Sequence, residues 1–95
     1  MGEIHDNRGA NRFELSEPGG VVFATYRRTG EQLFIDHVET PPAMRGAGAA
    51  GRLMAGIAEA ARNEHLTIVP ICSYAAAWLS RHDAASAAST AKVGD

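Results

Sequence analysis

Polar and apolar residues alternate through Arg12-Phe13-Glu14-Leu15-Ser16, the two-residue period of a half-buried strand. Glu17-Pro18-Gly19-Gly20 has the composition of a turn. Val21 to Arg27 is β-branched and aromatic and reads as a second strand. Arg28-Thr29-Gly30-Glu31 turns again, and Gln32 to Glu39 is a third strand. Strict alternation puts Leu33, Ile35, His37 and Glu39 on one face of it, and Phe34, Asp36 and Val38 on the other. Connections this short favour an antiparallel meander.

Pro41 and Pro42 end the third strand, because proline donates nothing to a ladder. A glycine-rich stretch, Arg45 to Gly51, then leads into the strongest helical period in the chain. Ala50, Leu53, Ile57 and Ala61 form one stripe, while Arg52, Glu59, Arg62 and Asn63 lie off it. The pattern predicts a helix from about 48 to 64, roughly 25 Å long. Leu66 to Cys72 is a short apolar strand, with Pro70 marking an edge or an interruption of pairing. Ser73 is the expected N-cap of a second helix, Tyr74 to His82, with Trp78 and Leu79 in the core. Residues 1–11 and 84–95 read as loose tails flanking a domain at 12–83. The expected order is β-β-β-α-β-α, an α/β (α+β) fold. Its mixed sheet has strands three and four parallel through a right-handed crossover.

Composition narrows the class. With 95 residues the chain is one small domain, and 45% hydrophobic content separates it from disordered sequences. A formal charge of −2 argues against nucleic acid or an anionic membrane as partner. No apolar run reaches the ~20 residues of a membrane-spanning helix. Neither an export signal nor a second cysteine is present, so a reducing cytoplasm is expected. Four scattered histidines offer no metal-ligand spacing, and no metal is expected.

The chemistry starts at Arg45-Gly46-Ala47-Gly48. Successive glycines let backbone N–H groups converge, and a helix start adds unpaired donors and a positive dipole. Arg45 and Arg52 add positive charge toward phosphate oxygens. The stretch is no P-loop, because no Lys-Ser/Thr follows, and it lacks the spacing of a dinucleotide fingerprint. Two readings stand: a diphosphate cradle, or a tight turn in which Gly51 lets helix and sheet pack closely.

Arg45-Gly46-Ala47-Gly48-Ala49-Ala50 resembles the acyl-CoA signature Q/R-x-x-G-x-G/A of the GNAT acetyltransferase superfamily. His37 to Pro42, Val69 to Tyr74 and Arg81-His82 are in register with its minimal, single-domain GNAT-like group. The resemblance implies acetyl-CoA as cosubstrate. Its pyrophosphate would lie on Arg45, Gly46, Ala47, Gly48, Ala49, Ala50 and Gly51. Its pantetheine arm would run beside Val38, Glu39 and Thr40, where two parallel strands splay. It also implies acetyl transfer to an amine, of a small molecule or a protein lysine. The alternative is a non-catalytic acyl-CoA-binding or interaction module. Two departures stand out: the long family members' N-terminal helices and last two strands have no counterpart here, and His82-Asp83-Ala84-Ala85 replaces the group's His-Pro-Glu-Tyr. A homodimer could complete the acceptor wall.

Four residues are candidates for the chemistry. Cys72, at the end of the fourth strand, is a nucleophile, slot lining or a small buried hydrophobe. Tyr74 is a proton donor to a leaving thiolate or an aromatic packed on the sheet. His37 and Glu39 are candidate bases for the acceptor amine, or a backbone-bonded histidine and a solvent-facing glutamate.

Overall fold

The computed structural model describes residues 4–82. Strands β1 (Ile4–Asn7), β2 (Arg12–Glu17), β3 (Gly20–Thr29) and β4 (Gln32–Glu39) come first. Helix α1 (Ala49–Asn63), strand β5 (Thr67–Pro70) and helix α2 (Ser73–His82) follow. The strands form one sheet in sequence order. β1 to β4 are antiparallel neighbours, and β5 runs parallel to β4 from Gln32↔Thr67 to Ile35↔Pro70. The mixed sheet is the expected one, extended by a strand.

That added strand corrects the expectation of a loose segment over residues 1–11. Ile4-His5-Asp6-Asn7 is too short to show a period, yet it pairs with β2 from Ile4↔Leu15 to Asn7↔Arg12. Tertiary contacts hold it. A Cβ on Gly56 of α1 would lie 2.1 Å from Ile4 Cγ1, so the bare glycine is the notch into which Ile4 fits. Asp6 accepts hydrogen bonds from the Tyr26 hydroxyl and from Arg28 Nη2. The tail expected at 84–95 lies outside the described residues.

The core sits on one face of the sheet. Phe13 and Leu15 of β2, Val22, Ala24 and Tyr26 of β3, Leu33 and Ile35 of β4, and Ile68 of β5 are buried there. Ala49, Leu53, Met54, Ile57, Ala58 and Ala61 of α1 pack against them, joined by Ala75, Trp78 and Leu79 of α2. The helical stripe is thus shifted from its expected line: Ala50 is only half-buried, while Met54 and Ala58 are in the core. No polar or charged residue is buried among the described residues.

A β-bulge alters β4. Tyr26 pairs with Ile35 but Thr25 pairs with His37, so Asp36 is an extra residue in the strand. Ladder partners share a face. Val38, opposite buried Ala24, therefore lies on the helix side, while His37 and Glu39, opposite Thr25 and Phe23, lie on the outer side. This corrects the strict alternation that grouped His37 and Glu39 with Leu33 and Ile35. Arg27 holds the bulged Asp36 through two hydrogen bonds, at 2.9 and 2.8 Å, and keeps its carboxyl below the usual range.

Candidate active site

The β4–β5 ladder stops early. Ile71 and Cys72 both donate their N–H groups to the Ile35 carbonyl, each at 3.0 Å, and the chain then turns into α2. β4 continues through Glu39 while β5 ends at Pro70, leaving Asp36–Glu39 without a β5 partner. Two parallel strands therefore part at Ile35, and the gap exposes main-chain hydrogen-bonding groups of β4 on that side.

Above the gap the chain reverses direction. Pro42–Met44 form a single 3₁₀ turn, with Met44 buried. Met44 is wedged against the β2–β3 hairpin: Cβ atoms on Gly19 and Gly20 would lie 3.1 Å from its Cγ and 3.6 Å from its Sδ. Arg45 Nε donates to the Thr40 carbonyl at 3.2 Å and closes the loop. Gly46 and Gly48 then take positive φ, +82° and +83°, which L side chains adopt only with strain. A Cβ on Gly46 would meet nothing within 4 Å, and one on Gly48 would meet only Arg52 Nη1 at 3.1 Å. Gly46 thus opens onto free space, while the Cβ side of Gly48 is bordered closely by the Arg52 guanidinium.

Gly48 is the N-cap of α1 but has no side chain to cap it, and the first turn contains no acidic residue. The first intrahelical bond is Arg52 N–H to the Gly48 carbonyl. The N–H groups of Ala49, Ala50 and Gly51 are left to an outside acceptor. A cavity of about 220 Å³ lies against them, walled also by Thr40, Arg45 and Tyr74. It is smaller than the ~300 Å³ of a complete small-molecule pocket. Its volume suits one polar group rather than a whole small molecule.

The candidate residues divide between three places. Thr40, Arg45, Gly46, Gly48, Ala49, Ala50, Gly51 and Tyr74 meet in the turn cavity. Ala47 belongs to the same turn through its N–H bond to Met44, at 3.3 Å. Val38 and Cys72 border the gap, both half-buried against the core. Cys72, rather than Ser73, is the N-cap of α2: its carbonyl accepts the Ala76 N–H, and Ser73 is already helical. His37 and Glu39 lie on the outer face, with His37 Nε2 2.8 Å from Glu39 Oε1. Gly51 faces α2 rather than the sheet, since its Cβ would meet Trp78 Nε1 at 3.5 Å and the Tyr74 hydroxyl at 3.8 Å. The close-packing role expected of it belongs to Gly56.

Arg52 is held by an ion pair that the sequence does not show. Its Nε and Nη2 both bind Glu17, at 2.7 Å each. The guanidinium holds the Glu17 carboxyl below its usual range. Sequence inspection passes over Glu17, 35 positions away from Arg52, because only the fold brings the hairpin to the helix. Among the described residues, no group of three or more His, Cys, Asp or Glu is arranged to hold a metal ion. No helix among them is long and apolar enough to cross a membrane.

The sheet is thus splayed at its parallel pair, and a glycine turn leads from the splayed strand into α1. The GCN5-related N-acetyl-transferase family matches residues 12–88 of this chain. A solution structure of a GCN5-like protein from Staphylococcus aureus, which carries the name of an N-acetyltransferase, superposes with a TM-score of 0.60 and 28% identity. The match covers 85% of this chain and 80% of that one. The chain belongs to the GCN5-related N-acetyltransferase family and is an acyltransferase.

Proposed function

We propose that this chain binds acetyl-CoA and transfers its acetyl group to an amine on the outer side of the sheet. The observation that carries the reading is the coincidence of two features. The β4–β5 ladder ends at Ile35, and the helix-capping turn with positive-φ glycines shares a cavity with Thr40, just after β4, and Tyr74, in the first turn of α2. An anion on the turn would satisfy the free N–H groups of α1 and the positive end of its dipole. The cosubstrate's diphosphate has the required charge, and its amide-bearing arm suits the unpaired edge of Val38, Glu39 and Thr40.

In the reaction, a bond forms between the amine nitrogen and the acetyl carbonyl carbon while the carbon–sulfur bond breaks. The amine gives up one proton and the departing thiolate takes one. His37 and Glu39, paired on the outer face of β4 beyond the end of the ladder, supply the base that takes the amine's proton. Tyr74 is the donor on the cofactor side; its hydroxyl makes no hydrogen bond among the described residues. Cys72 lines the gap between the two.

Titration calorimetry with acetyl-CoA, alongside thiol release in the presence of a panel of amines, tests the proposal. Saturable binding and amine-dependent thiol release are expected. Glu39→Gln and His37→Gln should lower turnover about 10²-fold or more in the variant that removes the base, with acetyl-CoA affinity unchanged. Binding without turnover for any amine would leave the acyl-CoA-binding module, and no binding would overturn the proposal.

A further inference from the structure

We infer that Glu17, at the end of β2, is a positioning residue for the diphosphate turn: it holds Arg52 so that one guanidinium nitrogen is presented at Gly48. The inference rests on the acetyl-CoA reading above and deepens it.

The geometry is a side-on, two-point ion pair. Glu17 Oε2 takes Arg52 Nε and Glu17 Oε1 takes Arg52 Nη2. The third nitrogen, Nη1, is not used by the pair. It lies 3.1 Å from where a Gly48 Cβ would stand, beside the positive-φ glycine of the turn, while the pair itself lines the neighbouring cavity with Ile4, Leu15 and Gly56. The main chain of Arg52 also closes on this residue, through its N–H bond to the Gly48 carbonyl. A guanidinium held by two fixed bonds loses most of its rotamer freedom before ligand arrives. Its remaining N–H groups then meet an anion on the turn at little further entropic cost.

Glu17 is well placed to act as a fixed anchor. Only 13% of its side chain is exposed, compared with 48% for Arg52. Pro18-Gly19-Gly20 follows it directly, and this hairpin turn is wedged under the loop. Besides the Met44 contacts, a Cβ on Gly20 would lie 3.3 Å from Pro41 Cγ. The β2–β3 hairpin therefore supports the turn at its root, through Met44 and Pro41, and at its head, through Arg52. The pair leaves the net charge at this point near zero. What Glu17 supplies is orientation rather than added attraction.

The alternative has the opposite sign. If Glu17 merely competes with phosphate for Arg52, then removing it frees the guanidinium and tightens binding. Glu17→Gln, with Glu17→Ala as a second variant, decides between the two. Affinity is measured for CoA, which carries the diphosphate, and for pantetheine, which does not. The Arg52 Nε–H resonance is followed by NMR. CoA affinity should fall about tenfold in Glu17→Gln, the loss of one charge-assisted hydrogen bond, while pantetheine affinity stays the same. In an Arg52→Gln background, Glu17→Gln should cause no further loss. CoA, but not pantetheine, should shift the wild-type Arg52 resonance. Unchanged or tighter CoA binding in Glu17→Gln would overturn the inference and leave the proposed function standing. Equal weakening for CoA and pantetheine would reduce Glu17 to a structural residue and also overturn it. Wild-type protein that binds no CoA would overturn the proposed function and this inference together.

Discussion

Gly48 meets two demands that few residues can meet together. Its φ of +83° disfavours any side chain, and the space on its Cβ side is bordered closely by Arg52 Nη1, 3.1 Å from a Cβ placed there. Gly48→Val would place a branched side chain in that space and strain the backbone. The expected result is a folded protein whose affinity for CoA falls below detection by calorimetry; affinity like that of wild type would remove the turn from the site. Glu17 yields a second prediction, from its lowered pKa. A carboxyl whose folded pKa lies below its ordinary 4.5 adds stability that is fully present above that value. The stability is lost as pH falls through the lower, folded value. The difference in melting temperature between wild type and Glu17→Gln should therefore be constant at neutral pH and shrink below about pH 4.5. A difference that persists unchanged to pH 2.5 or so would show that the ion pair contributes nothing.

Helix α1 carries two interior glycines, Gly51 and Gly56, whose surroundings give opposite expectations. At Gly51 a methyl group meets Trp78 Nε1 at 3.5 Å, ordinary contact distance. Gly51→Ala should raise stability by up to about 1 kcal/mol, the helix-propensity gain. At Gly56 the same methyl collides with Ile4 Cγ1 and, at 2.7 Å, Cδ1. Gly56→Ala should cost about 1–3 kcal/mol net, as overpacking or loss of β1 outweighs propensity. Denaturant unfolding measures both variants. Hydrogen exchange of the β1 amides tells which cost Gly56→Ala incurs. Ile4→Ala in the Gly56→Ala background should recover part of the loss, because it removes the two colliding carbons. Equal effects of the two glycine substitutions would mean that β1 is not seated on α1 as described.

The whole molecule is a one-sided sheet. Both helices and the core occupy one face, and the outer face carries Phe23 and Phe34 half-buried beneath Arg12 and Arg27, at 4.2 and 4.8 Å. The bulge at Asp36 divides the site along the same plane, with Val38 on the helix side and His37 and Glu39 outside. On the proposed function, cosubstrate and acceptor would approach from opposite faces of the splay. Binding that fixes the β4–α1 loop against α2 also couples to global stability. CoA at a hundred times its dissociation constant adds about 2.7 kcal/mol, which in a domain this size raises the melting temperature by about 10–20 °C. Differential scanning calorimetry with and without CoA reads this shift, and Gly48→Val should show none of it.

Much of this was legible in the chain itself. The strands from Arg12 to Glu39, the helix over Ala49–Asn63 and the glycine turn rest on local signals: alternation, a 3.6-residue stripe, and turn residues at fixed offsets. Those signals also sufficed to bring Thr40, Arg45, Gly46, Gly48 and Gly51 into one cavity, because strand, turn and helix are consecutive in sequence. Three features needed the tertiary structure. β1 exists because Ile4 finds the notch at Gly56, a contact between residues 52 positions apart. The outer placement of His37 and Glu39 depends on a bulge, which is a property of the pairing of β3 with β4 and leaves no mark on β4 alone. The Glu17–Arg52 pair depends on the hairpin being folded back against the helix start. Local sequence determines the dihedral preferences and periods of each segment. Which residues meet across segments is decided only when the core forms, because burial and pairing act over distances in space that sequence separation does not record.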